Sequence, residues 1–167
     1  RFLSSGLERM RIDSSGRVTM PSQPAFHAHG TSASWTVFSN GGWSTIVLPT
    51  TTFNTGNHYN TGSSAYTAPV AGVYYFYYKI YGRVQSGGGA STYWLSRFQK
   101  NNSGISGQNG MLTGYQYNTG GADETVTYSM TISLSANDQI TLHAQSSGAY
   151  NGEYYPINCE FGGYLIG

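Results

Sequence analysis

Charge is what this sequence has least of: Asp, Glu, Lys and Arg together make 9% of 167 residues, and the net charge is +1. An ordinary soluble domain carries about a quarter charged residues. So weak a field gives no long-range attraction to nucleic acid or to an anionic membrane, and no basic stripe exists beyond the first residues. Neither partner is expected. A single cysteine, Cys159, rules out an intrachain disulfide framework and predicts a buried thiol. No apolar run approaches the length that spans a membrane, so membrane insertion is not expected. The chain opens on Arg1 with no signal-type apolar segment, which reads as the C-terminal piece of something longer. Gly-x-Ser-x-Gly elbows, P-loops and paired Cys motifs are all missing. The acidic residues stand singly apart from Asp123-Glu124, a pair read as a solvated strand edge. No enzyme and no cofactor are expected.

What fills the space is 23 Gly and 15 Tyr, with abundant Ser, Thr and Asn. That palette makes turns and strands, and it also makes recognition surfaces, because Tyr gives rigid contact area with a polar tip. No segment keeps a helical period, so the fold class is all-β.

The chain is organised around Tyr66 to Tyr81, its longest aromatic and β-branched run, which resumes after Pro69 and Gly72. Alternation puts Tyr74, Phe76, Tyr78 and Ile80 on one face and Val73, Tyr75, Tyr77, Lys79 and Tyr81 on the other. Both faces are largely aromatic, whereas a strand with one wet face reads polar on that side. The second face therefore needs a partner.

Arg1 to Met20 holds half of all Lys and Arg, in Arg1, Arg9, Arg11 and Arg17. Within it Glu8 to Ile12 alternates, Asp13-Ser14-Ser15-Gly16 signals a turn, and Arg17 to Met20 resumes the extended pattern. That is a small hairpin, too poor in apolar residues to stand alone. Pro21 and Pro24 then punctuate the chain. The expected division is a connector over residues 1–22 and a head over 23–167.

In the head, strands are expected at Ala25 to His29, Trp35 to Phe38 and Thr45 to Leu48, with Phe53-Asn54 and Tyr59-Asn60 in a polar loop region. After the central strand, Arg83 to Ala90 reads as a turn and Thr92 to Lys100 as a strand with Trp94, Ser96 and Phe98 on one face. Gly107 to Ala122 reads as a surface loop carrying Tyr115 and Tyr117. Val126, Tyr128, Met130, Ile132 and Leu134 alternate with polar residues in the cleanest half-buried strand. Asn137-Asp138 then turns it back as a hairpin into Ile140 to Ala144. A second loop, Ser146 to Pro156, carries Tyr150, Tyr154 and Tyr155, and Cys159 to Ile166 forms the last strand. The five loop tyrosines are the candidate ligand contacts, since rings without a core role can stack on a sugar or a protein side chain. His27-Ala28-His29 is the one metal-like motif. Alternation puts both imidazoles on one side, where they could offer nitrogens to a transition metal or simply line a polar face. No metal is assigned.

Two resemblances follow from these residues. Glu8-Arg9-Met10-Arg11-Ile12-Asp13-Ser14-Ser15-Gly16-Arg17-Val18 resembles a short segment that recurs in phage tail fibres ahead of a C-terminal head. Phe53-Asn54, Tyr59, Tyr66, Pro69 and Gly72-Val73-Tyr74-Tyr75-Phe76 resemble the signature of the C1q-like (C1q/TNF-like) domain. Pro24-Ala25-Phe26, Phe98-Gln99-Lys100-Asn101, Leu134 to Ile140 and Phe161-Gly162-Gly163-Tyr164-Leu165 agree with its other elements. This resemblance implies a ten-stranded jelly-roll sandwich assembled as a homotrimer, with Tyr75, Tyr77 and Tyr81, and Met10, Ile12 and Val18 of the hairpin, facing neighbouring copies. Together the two imply a virion-surface, extracellular fibre head whose partners are its own copies, other virion proteins and a host glycan or protein. A purely architectural cap and a non-viral C1q-like module are the alternatives.

Overall fold

The computed structural model describes residues 1–85, 93–105, 123–147 and 150–167. A small three-stranded antiparallel sheet comes first, from β1 (Phe2–Ser4), β2 (Leu7–Ile12) and β3 (Val18–Thr19). Its second turn is built by Asp13: one carboxylate oxygen accepts the backbone N–H of Ser15 and of Arg17, and the other accepts Arg17 Nε at 2.8 Å. Gly16 takes the left-handed φ of +79° that closes the turn. The expected hairpin is present. An additional strand, β1, lies beside it because Phe2–Ser4 pairs back on Leu7–Met10 around Gly6.

The head follows as two facing sheets. Its strands are β4 (Ala25–His29), β5 (Thr36–Phe38), β6 (Ser44–Thr45), β7 (Thr50–Thr55), β8 (Tyr59–Asn60), β9 (Ala65–Thr67), β10 (Gly72–Val84), β11 (Tyr93–Lys100) and β12 (Ser103–Gly104). They continue as β13 (Glu124–Leu134), β14 (Gln139–Ser147), β15 (Gly152–Tyr154) and, after one 3-10 turn at Pro156–Asn158, β16 (Glu160–Leu165). Thirteen head strands among the described residues replace the expected ten, because several elements are two- or three-residue pieces.

β10 organises one sheet. It pairs with β13 along one edge from Gly72 to Gly82, and along the other with β16 and then β15. β4 lies outside β16, β7 outside β4 and β5 outside β15. The second sheet runs β12-β11-β14-β9-β8, with β6 also on β14. This is an all-β, jelly-roll-like sandwich.

Between the sheets lies an aromatic core. Phe26 stacks between Tyr59 and Tyr66 with centroids 4.9 and 4.8 Å away and meets Phe161 edge-on at 4.8 Å. Tyr74, Phe76, Tyr78 and Ile80 point inward and are fully buried, as the period of two requires. Buried hydroxyls find partners: Tyr74 donates to Val70 O, Tyr59 to Leu48 O, and Tyr78 meets Ser96 Oγ at 2.8 Å. Gly163 lets the Phe76 ring lie directly on β16, where any Cβ would collide with it.

Four expectations change. Val126 to Leu134 and Ile140 to Ala144 do not pair as a hairpin: β13 joins β10 and β14 joins β11, so the turn between them crosses from one sheet to the other. Asn137 at φ +71° makes that crossing, and Asp138 fixes it by accepting Ser135 N and Asn101 Nδ2 and pairing with Lys100 Nζ at 2.7 Å. Those contacts hold its carboxyl down at about 2, the Lys100 bond contributing most. Phe53-Asn54 and Tyr59-Asn60 lie in strands β7 and β8 rather than loops, because backbone pairing with β4 and β9 orders them despite their polar sequence. Arg83 and Val84 continue β10 and pair with β15, so the strand takes the first two residues of the expected turn, of which residues 86–90 lie outside the described residues. Of Thr45 to Leu48 only Thr45 is in a strand, while Ile46 and Leu48 are buried core beyond it.

Candidate functional site

Two surfaces stand out. The first is the outward face of the β10 sheet. From β10 it receives Tyr75, Tyr77 and Lys79, from β16 Glu160 and Tyr164, from β4 His27 and His29, and from β7 Phe53. Tyr77 lies flat over Gly162, whose missing side chain makes the room. Rings then run across the strands: His27 stands 6.1 Å from Phe53 and 6.4 Å from Tyr77, and Tyr75 lies 6.2 Å from Tyr77 and 5.4 Å from Tyr164. Beside them an open groove of about 570 Å³ is lined by Tyr75, Tyr77, Lys79, Thr127, Ser129 and Glu160 among others. Tyr164 and Phe53 are each about half exposed. Burial is the first cause that raises the Tyr77 phenol, with Glu160 adding to it.

His27 and His29 do share the side of β4 that faces away from Phe26 and Ala28. One nitrogen of each is taken: His27 Nδ1 meets Thr52 Oγ1 at 3.0 Å and His29 Nδ1 meets Gly30 O at 3.1 Å. Glu160 Oε2 lies 3.5 Å from both His27 Nε2 and Lys79 Nζ, so the one nearby carboxylate is shared with an ammonium. Among the described residues no three His, Cys, Asp or Glu gather where they could hold a metal.

The second surface caps the far end of the same face. Trp35 stacks on Tyr81 at 5.7 Å and contacts Tyr155 at 5.2 Å, while the Arg83 guanidinium lies 3.9 Å above the indole. Arg83 pairs with Glu153 at 2.9 Å and Asp123 at 3.5 Å, and Tyr81 donates to Asp123, which raises its phenol. Asp123 is therefore an acceptor in this cluster rather than a plain solvated edge. Its neighbour Glu124 is partly desolvated, which raises its carboxyl.

Of the five loop tyrosines, Tyr115 and Tyr117 lie outside the described residues. Tyr150 is exposed, at 36%. Tyr155 is half-buried in the Trp35 cluster and donates to Ala33 O. Tyr154 is a correction: it is 2% exposed in β15 and accepts Val47 N–H at 3.2 Å, so it belongs to the core. Pairing with β10 and β5 turns that part of the expected loop into a strand. Cys159 is buried, as expected, and burial pushes its thiol up to about 11. In the hairpin sheet Ile12 and Val18 are each 56% exposed and Met10 is half-buried, beside exposed Phe2, Leu3 and Leu7.

Trp35 and Arg83 were missed from sequence. The only local signal for Trp35 is a lone indole in a stretch otherwise rich in Ser and Thr.

The C1q-domain family profile matches residues 25–166. The chain belongs to the C1q domain family. Its fold is that of the globular domain of zebrafish complement 1qA, with a TM-score of 0.56 at 13% identity over 87% of this chain and 98% of that one. Eiger TNF from S. frugiperda gives 0.58 at 14% identity, covering 87% of this chain and 94% of the other. Murine APRIL gives 0.53 at 10%, covering 86% and 99%. Over 117 residues, 68% of this chain, it is 27% identical to the mouse collagen alpha-1(X) chain, of which it spans 15%. Domains of the C1q/TNF-like class are typically trimeric binding modules without enzymatic activity.

Proposed function

We propose that this chain is the end of a bacteriophage fibre protein, with residues 1–22 closing the stalk and 23–167 forming a homotrimeric head on the virion surface. The head binds a host surface component, a glycan, through its Tyr-rich loops. The observation that carries the reading is the outward face of the β10 sheet: Tyr75, Tyr77, Tyr164 and, through His27, Phe53 form an aromatic surface that the described residues leave partly exposed. Three copies packed around an axis would cover it, and would equally bury Phe2, Ile12 and Val18 of the stalk sheet. Grouping three heads also multiplies weak sugar contacts by avidity. Tyr150 and the Trp35–Tyr155 cluster offer exposed rings to the ligand.

Light scattering over a range of concentrations tests the assembly, and the expected result is a concentration-independent trimer. A monomer leaves the aromatic face uncovered and overturns the reading. Host adsorption tests the ligand: Tyr150→Ala should reduce it with the trimer intact, and undiminished adsorption leaves a purely architectural cap. The match to part of a collagen chain supports a second reading, a non-viral head on a long structural protein. Upstream Gly-x-y repeats would favour it, and further Asp-Ser-Ser-Gly hairpins would favour the fibre.

A further inference from the structure

The outward face of the other sheet carries an arrangement that neither assembly nor the Tyr loops use. Arg97 in β11 stands directly opposite His143 in β14, and Thr45 in β6 stands opposite His143 on its other side. All three point away from the core. Trp43, two residues before Thr45 and so on the same face, reaches over to Arg97, whose guanidinium carbon lies 3.9 Å from the centre of its ring.

Arg97 is half-buried, and it is the exception among the cations of the head. Lys79 pairs with Glu160, Arg83 with Asp123 and Glu153, and Lys100 with Asp138. No carboxylate among the described residues reaches Arg97. Its polar partner is the neutral amide of Gln99, which, in the orientation that satisfies both of its ends, accepts Nη2 at 2.8 Å and Nε at 3.3 Å through its oxygen and donates to Asn102 O through its nitrogen. A guanidinium has five N–H donors, so three have no acceptor among the described residues, two of them on Nη1. The guanidinium also packs on Gly104, where a Cβ would stand 3.0 Å from Nη1 and crowd it.

Below lies a second unmatched group. His143 is only 7% exposed, its Nε2 meets Thr141 Oγ1 at 2.8 Å, and its Nδ1 has no partner among the described residues. Burial, helped by the Arg97 charge, brings its pKa down to about 4, so the ring is neutral near pH 7 and the face holds one positive charge. A partly desolvated cation without an anion and a buried imidazole nitrogen without a partner are both unfavourable by themselves. Adjacent on one face, they read as a receiving surface.

We propose that this face is a second binding site, in which Arg97, held in plane by Trp43 and Gln99, takes the carboxylate of an acidic sugar such as a uronate. The carboxylate accepts from the Arg97 donors that no described residue takes, and sugar hydroxyls meet the indole edge of Trp43, with neutral His143 lying beneath. A single guanidinium flanked by an indole and neutral amide and hydroxyl groups matches one carboxylate on a hydroxylated ring. An acidic peptide brings several carboxylates and would be drawn by a field that a chain of net charge +1 does not have. The proposal shares with the preceding reading only the expectation of a glycan.

Titration calorimetry of the full 167-residue chain with trigalacturonic acid is the test. The expected result is one site per chain, weakened tenfold or more by Arg97→Gln and by reducing the sugar carboxylates to alcohols. Arg97→Lys, which keeps the charge but not the fork, should fall between wild type and Arg97→Gln. Arg9→Gln, which removes a cation of the stalk sheet, should change nothing. Equal binding by Arg97→Gln, with its thermal midpoint confirming the fold, overturns the site, as does no binding by wild type at millimolar sugar. A stronger response to a sulfated neutral sugar or to hexaglutamate overturns the carboxylate-sugar assignment. Adsorption indifferent to Tyr150→Ala together with Arg97-dependent uronate binding keeps this site and removes the Tyr-loop reading. The reverse pattern does the opposite.

Discussion

The two faces of β10 use the same residue for opposite ends. Inward, Tyr74 and Tyr78 are wholly buried, and their hydroxyls are spent on Val70 O and Ser96 Oγ. Outward, Tyr75 and Tyr77 are half-buried, lying on glycine and on other rings, beside an open groove. The difference teaches that in a strand this aromatic, composition does not distinguish core from contact surface. What separates Tyr74 and Tyr78 from Tyr75 and Tyr77 is the facing sheet that covers the first pair.

Substitutions on the two faces should therefore separate stability from assembly. The largest stability effect belongs to the inward side: Phe161→Ala empties the centre of the aromatic core and should destabilise by about 3–5 kcal/mol in denaturant unfolding. A loss below about 1 kcal/mol would mean that the two sheets do not share that core.

Next comes the outward residue that behaves like an inward one. His143 is neutral in the fold and has its ordinary pKa, 6.5, when unfolded, so the unfolded chain binds the extra proton first as pH falls. Its contribution is complete above pH 6.5 and lost progressively down to about 4, on the order of 1–3 kcal/mol in all. Unfolding measured across that window should show the loss in wild type and a smaller one in His143→Gln.

Tyr74→Phe keeps the ring and removes one buried hydrogen bond, for about 1 kcal/mol. The smallest effect on the fold is expected from Tyr75→Ala with Tyr77→Ala, within about 1 kcal/mol for the isolated chain. If the wild type sediments as the proposed trimer, that double variant should sediment as a monomer, and an intact trimer would break the contrast between the faces.

The faces themselves were legible in the sequence, because a period of two assigns Tyr74 and Tyr75 to opposite sides whatever they pair with. The partners were not. Alternation in Val126 to Leu134 says which side is buried but not which strand lies alongside, so the crossing at Asn137 between sheets looked like a hairpin. Thr50–Thr55 carries no apolar alternation and becomes a strand only because β4 offers it backbone partners. Tyr154 sits among loop-type residues, and its burial comes from pairing with residues far away in sequence. The same distance hid the Trp43–Arg97 contact. Turn chemistry, being local, was read correctly at Asp13 to Gly16.

The pairing of β4 with β16 has a consequence for how the protein is made. Ala25–His29 hydrogen-bonds with Glu160–Tyr164, so the first strand of the head waits for the last. At ~5–20 residues per second, synthesis of the intervening chain takes on the order of ten seconds. Throughout that interval Phe26, His27 and the edge that β16 will cover are open to solvent on the ribosome. With most of its pairings between distant segments, the head closes late and slowly, once β16 has been made. Neighbouring nascent chains on one message would expose the same unpaired edge together, so the order of synthesis favours copies meeting one another before each has closed.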